Sequence, residues 1–166
     1  MIEMKVSGIV LDPHSKSPIV VLRDGDERRA LLIWIGAPEA NAIMLVLEKI
    51  RLSRPVTHDL LNNLLKATHY PLDHVVINDM RDNTFFAELY LKKPTPKKKG
   101  DFLVVDSRPS DAIALALRAG ATILVSEAVM STSSIPIDQN RDEAEAEAFR
   151  KFLDDLKPSY FNRTSG

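Results

Sequence analysis

At 166 residues, 45% of them hydrophobic and 27% charged, the chain has the makeup of one globular domain able to bury its own core. It has no cysteine, which excludes disulfides, thiolate zinc centres and a cysteine nucleophile, and its formal net charge of −1 excludes a chain-wide basic surface for nucleic acid. No apolar run approaches the roughly 20 residues of a spanning helix, and the opening Met1-Ile2-Glu3-Met4-Lys5 has no signal-peptide pattern, so a cytoplasmic protein without a membrane partner is expected.

Residues 6–11 read as a strand, 12–17 as a polar turn and 18–22 as the returning strand of a hairpin. A second turn at Asp24-Gly25-Asp26 leads to an apolar run over 30–35, expected as a strand buried on both faces. Gly36-Ala37-Pro38-Glu39 then opens a helix, with proline in the first turn and an early acid complementing the dipole; Ala40, Ile43, Met44, Leu47 and Ile50 form its apolar stripe. The break at Arg54-Pro55 starts a second helix with Thr57 as the expected N-cap, Asp59 in the first turn and Leu60, Leu61, Leu64 and Leu65 as the apolar face. Strands follow over 75–79, 84–91 and 102–105, the last two joined by a loop rich in proline and lysine. Arg108-Pro109-Ser110-Asp111 begins a helix that Gly120 ends, and 121–125 is a further strand. Residues 130–140 read as irregular. A charged helix is expected over 142–156, within a segment, 138–156, that carries net −4.

The two halves look alike. The strand 31–35 leads to Ala42-Ile43 in a helix, and the strand 102–105 leads to Ala112-Ile113 in another; each half is preceded by a hairpin whose first strand ends in aspartate, Asp12 or Asp79. The expected fold is therefore α/β of the α+β type: a duplicated hairpin–strand–helix unit with mixed or antiparallel sheets covered by helices, over residues 1–137, plus an acidic C-terminal helix and tail over 138–166.

Three segments carry a family resemblance: residues 35–43, residues 54–61, and Asp106-Ser107-Arg108-Pro109-Ser110-Asp111 with its continuation to 116. Together with 76–79 and 84–89 they resemble the bifunctional nuclease domain family over residues 4–130. The resemblance implies a nuclease acting on RNA and DNA, as plant members of the family are described, and a homodimer. It assigns no catalytic residues.

Candidates therefore come from the chemistry. Phosphodiester cleavage without cysteine runs on carboxylates holding a divalent metal, Mg or Mn, or on a histidine acid–base group; the metal-assisted route is the one expected here, and a non-catalytic ligand-binding or protein-interaction module is the alternative. Asp111 is a candidate metal ligand or base and Arg108 a phosphate clamp; the competing reading makes Ser107 or Ser110 a helix cap and Asp111 a first-turn acid. His58 and Asp59 form another candidate pair, although helix neighbours do not face each other. Asp79 and Glu88 would share a cation if they point to one face of their hairpin. Glu39 opens its helix as Asp111 does, and two such helix starts brought together would form one anion-receiving cleft. Lys97, Lys98 and Lys99, with Arg54, are candidate nucleic-acid contacts. No aromatic residue interleaves with these lysines, so the linear sequence offers no base-stacking platform there.

Overall fold

The computed structural model describes residues 1–137 together with Glu147 and Lys151. Apart from Glu147 and Lys151, the helix expected over 142–156 lies outside the described residues, as does the segment beyond the division of the chain at 137/138.

Strands β1 (Ile2–Leu11), β2 (Pro18–Asp24) and β3 (Arg29–Trp34) form an antiparallel meander, followed by helices α1 (Ala37–Leu47) and α2 (Thr57–Ala67). A second meander, β4 (Leu72–Arg81), β5 (Thr84–Lys92) and β6 (Phe102–Ser107), is followed by α3 (Pro109–Ala119). Strand β7 (Thr122–Val125), helix α4 (Glu127–Ser133) and strand β8 (Ser134–Pro136) complete the described chain. All strands among the described residues belong to one sheet in the order β6-β5-β4-β7-β1-β2-β3-β8. Its pairs are antiparallel except β4 with β7. The result is the mixed α+β architecture the sequence implied, in a single sheet, with β7 joining the two meanders.

Period-two alternation sets the core. Ala87, Leu89 and Leu91 of β5, Val75 and Ile77 of β4, and Ile123 and Val125 of β7 are buried in one cluster with α3. Phe86, Glu88 and Tyr90 consequently stand on the other face of β5. Helix α3 lies deepest: residues 112–116 have no exposed surface, because three alanines let its backbone approach α1, α2, β4 and β5 closely. It ends at Gly120, whose φ of 66° is left-handed and suits a residue without Cβ.

Four local expectations are corrected. Residues 130–136 of the stretch read as irregular belong to α4, which begins at Glu127, and to β8. Ser126 caps α4 by accepting the Val129 N–H at 3.2 Å, and burial of Val129 and Met130 holds a helix too short to show a periodic pattern. Thr57 is the first residue of α2 and not its cap: the N-cap is Val56, whose N–H donates to the Asp59 carboxylate at 3.0 Å. Neither Ser107 nor Ser110 caps α3, where Arg108 is the N-cap and the Ser107 hydroxyl donates to the Arg108 carbonyl. Strand β3 is not buried on both faces throughout, since Trp34 is 55% exposed, with its Nε1 donating to Asp12 at 3.0 Å. None of the described helices is long and apolar enough to cross a membrane.

Candidate functional site

A groove of about 1270 Å³ runs beside the first turns of α1, α2 and α3. Leu61 and Leu65 of α2 form one wall and Leu89, Leu91 and Val105 of β5 and β6 another; Glu39, His58, Arg108 and Asp111 form the polar end. In none of the three helices does the N-cap side chain accept a hydrogen bond, although in α2 Asp59 reaches back to the Val56 N–H. Their first-turn peptide N–H groups and positive dipole ends are thus turned to this region without a competing side-chain oxygen at the N-cap.

The polar end is a chain of contacts drawn from three helices. His58 Nε2 lies 2.9 Å from Asp111 Oδ1. Arg108 Nε donates to Asp111 Oδ2 at 2.6 Å and its Nη2 to Oδ1 at 3.1 Å, a bidentate pair. Arg108 Nη1 reaches Glu39 Oε1 at 3.2 Å, joining the starts of α3 and α1. Glu39 folds back over the beginning of its own helix, where Gly36 leaves room: a Cβ at position 36 would collide with the Glu39 carboxylate. Burial pushes the Asp111 carboxyl upward, but hydrogen bonds from Arg108 and His58 outweigh it and hold the group below the ordinary carboxylate range. An ionised carboxylate only accepts, so His58 carries its proton on Nε2. In the neutral imidazole the basic nitrogen is then Nδ1, which has no hydrogen bond to any described residue.

The expected sites divide accordingly. Arg108, Asp111, Glu39 and His58 come together. Asp59 does not join them: its Oδ1 accepts from Arg118 Nε at 2.5 Å, away from His58. Asp79 also stands apart, bound to Arg81 Nε at 2.6 Å and to the Met80 N–H, while Glu88 accepts from the Tyr90 hydroxyl at 2.9 Å. Across the hairpin Asp79 pairs with Phe86 and Glu88 with Val76, so the two acids are not opposite each other. Arg54 is exposed in the loop between α1 and α2, and Lys97, Lys98 and Lys99 are exposed between β5 and β6; none of the four lines the groove. Sequence reading gave no role to Arg118, in the last turn of α3, and did not gather Leu61 and Leu65 of the second helix's apolar face with Leu89, Leu91 and Val105 into one groove.

The donor set does not fit a resident divalent ion. Glu39 and Asp111 converge on the Arg108 guanidinium, which stands where a cation would be held, and among the described residues no group of three or more His, Asp or Glu is placed to bind a metal.

Three buried or half-buried acids make stability depend on pH. Burial raises Asp24, Asp59 and Asp111, but backbone N–H groups and arginines for Asp24, Arg118 and the Val56 N–H for Asp59, and Arg108 and His58 for Asp111 lower them further than burial lifts them. The unfolded chain protonates these groups near about pH 4, the folded chain only below that. Their stabilisation is therefore complete above about pH 4 and is lost as pH falls through the lowered folded values. Urea midpoints are expected to fall between about pH 6 and about pH 3, and to fall less in Asp24→Asn.

The family model for the bifunctional nuclease domain matches residues 20–138. An uncharacterized protein of Mycobacterium tuberculosis is 36% identical over 170 aligned residues, covering 98% of this chain and 99% of that protein. Bifunctional nuclease 1 of Oryza sativa subsp. indica is 27% identical, covering 76% of this chain and 37% of the rice protein. Bifunctional nuclease 2 of Arabidopsis thaliana is 28% identical, covering 69% of this chain and 34% of that protein. The chain thus matches the mycobacterial protein end to end and spans about a third of each plant nuclease.

Proposed function

This chain belongs to the bifunctional nuclease domain family, and from that premise we propose that it hydrolyses phosphodiester bonds in RNA and DNA at the polar end of the groove. The observation that carries the reading is the contact chain His58–Asp111–Arg108–Glu39 at three convergent helix starts. Asp111 fixes the imidazole so that Nδ1 removes a proton from the attacking water. The water oxygen bonds to phosphorus, the P–O bond to the leaving ribose oxygen breaks, and the imidazolium returns its proton to that oxygen. Arg108 is 65% exposed, so its outer pair with Glu39 is inexpensive to break, and the guanidinium turns from Glu39 to a phosphate oxygen. The helix dipoles favour the charge that builds on the phosphorus oxygens.

Because this route uses no metal, cleavage of single-stranded RNA and DNA by the purified protein is expected to persist in excess EDTA. Complete loss in EDTA with recovery on adding Mg or Mn would restore a metal-assisted route. Activity that survives His58→Ala, Asp111→Ala and Arg108→Ala alike would belong to a contaminant.

A second reading, binding without turnover, is favoured by the aliphatic walls and by an Arg108 already neutralised by two carboxylates. A ligand recovered with the protein, with no cleavage of any substrate, would support it. Two further elements belong to the proposal. A duplicated β-β-β-α unit is supported by the order of the two meanders, each running outward from β7. A homodimer is supported by Leu60 and Leu64, exposed on α2.

A further inference from the structure

The lysine loop between β5 and β6 looks bare of aromatic residues along the chain, but cross-strand pairing changes its surroundings. Tyr90 lies two residues before Lys92, and Phe102 directly follows Asp101 at the loop's end. His74 pairs with Tyr90, and Lys92 pairs with Phe102, which places all three rings and Lys92 on the sheet face away from α3. The His74 and Tyr90 rings stack with centroids 4.3 Å apart and 17° between planes. Phe102 stands edge-on to both, at 5.3 and 5.9 Å. All three are part-exposed, as a hydrophobic core cluster would not be.

Charge is distributed to match. Lys93 is tied to Asp101 at 2.6 Å, and Lys92 to Asp73, whose other oxygen lies 2.7 Å from His74 Nδ1. Asp101 also accepts the Lys97 N–H at 2.9 Å, which fixes the loop's shape. Lys97, Lys98 and Lys99 are exposed in the loop that Asp101 joins to Phe102, with no ion pair within 4 Å to a described residue, although Lys98 is near enough to help lower the Asp101 carboxyl. Glu88 and Asp106 sit opposite each other farther along the same face, and they disfavour phosphate there; the cationic end is the lysine end.

We propose that His74, Tyr90 and Phe102 with Lys97, Lys98 and Lys99 form a second binding surface for single-stranded nucleic acid, separate from the groove. An unpaired base stacks on the part-exposed rings while the lysines neutralise its flanking phosphates. A duplex cannot use the rings, because its bases are already stacked on one another. Strand β6 is the edge of the sheet, so a single strand passes around it from this face to the groove on the other. The inference rests on the nuclease reading for that continuity, but the surface binds whether or not the groove cleaves.

The test uses the full chain carrying His58→Ala, to prevent turnover, and a fluorescein-labelled oligothymidylate followed by anisotropy. Phe102→Leu keeps the apolar packing of β6 and removes the ring. It is expected to weaken binding about tenfold with an unchanged melting temperature. Changing Lys97, Lys98 and Lys99 together to glutamine is expected to reduce the salt slope of log K by roughly 0.7 for each phosphate that these lysines neutralise. A duplex of the same sequence should show no dependence on Phe102. Affinity for the single strand that is unchanged by both Phe102→Leu and Tyr90→Leu, in folded protein, would overturn the proposal, as would no detectable binding by the His58→Ala chain at low salt. Cleavage by the wild-type chain decides the nuclease reading independently: intact cleavage with a flat response to both ring variants removes this surface and leaves the groove assignment standing.

Discussion

His58→Ala is expected to lower kcat/KM on single-stranded RNA and DNA by about 10²–10⁴-fold, the range typical of a positioned acid–base group. The fold should survive. The His58 side chain is 12% exposed and touches Asp111 through one nitrogen only, and Asp111 keeps both bonds from Arg108 when the imidazole is gone. No buried charge is orphaned, so the melting temperature should fall little beside the loss of rate. Asp111→Asn separates positioning from packing. Its amide can present N–H groups to the imidazole, which stabilises the tautomer with Nε2 as acceptor and Nδ1 protonated, and the base is then lost although the groove is still filled. A large drop in kcat for this near-isosteric change, with little change in KM, marks control of the tautomer. A rate within about twofold of wild type in both variants, where about 10²-fold or more is expected, would remove His58 from the chemistry.

The largest loss of stability is expected from Asp59→Ala. Arg118 is 6% exposed and bonds to Asp59 and to the Ala114 carbonyl at 2.9 Å. Without Asp59 the guanidinium keeps only the carbonyl, in a place water hardly reaches. Breaking a buried pair typically costs about 3–5 kcal/mol. Asp59 is itself 38% exposed, so water screens part of this, and about 2–3 kcal/mol is the expected cost. The Val56 N–H also loses its acceptor at the start of α2. Calorimetry should show a melting temperature lower by roughly 5–10 °C. Replacing both partners, Asp59→Leu with Arg118→Met, should recover most of that loss, because no unpaired charge remains. If the double variant melts no higher than Asp59→Ala, the pair's burial is not the source of the cost.

The two predictions meet in α2, and α2 shows where sequence reading stops. The helix starts at Glu39 and Asp111 could be read as members of one cleft, because both follow a strand and both have a proline and then an acid in the first turn, adjacent at Pro38-Glu39 and one residue apart at Pro109-Ser110-Asp111. Their local chemistry is short-range and repeats. His58 and Asp59 were legible as a helix start, and the rule that helix neighbours do not face each other held. Their true partners lie 53 and 59 residues away in α3, a separation at which the linear pattern carries no signal. Asp79 misled for the opposite reason: an acid at a hairpin turn invites a functional reading, but its partner is Arg81, two residues along. The strands and their inward residues followed from alternation and turn residues. Helix α4 did not, since seven residues rich in serine and threonine fold there only because Val129 and Met130 are buried from outside the segment.

The unequal depth of α2 and α3 has a mechanical consequence. Every side chain from 112 to 116 is walled in, and Arg108 and Asp111 project from that immovable shaft. Helix α2 rests against α3 with Leu60 and Leu64 facing outward, so it is the lighter-anchored of the two. The site therefore has a deeply seated side and a lightly anchored one: the Asp111 carboxylate stands on the walled-in helix, and the imidazole that faces it stands on the shallower one.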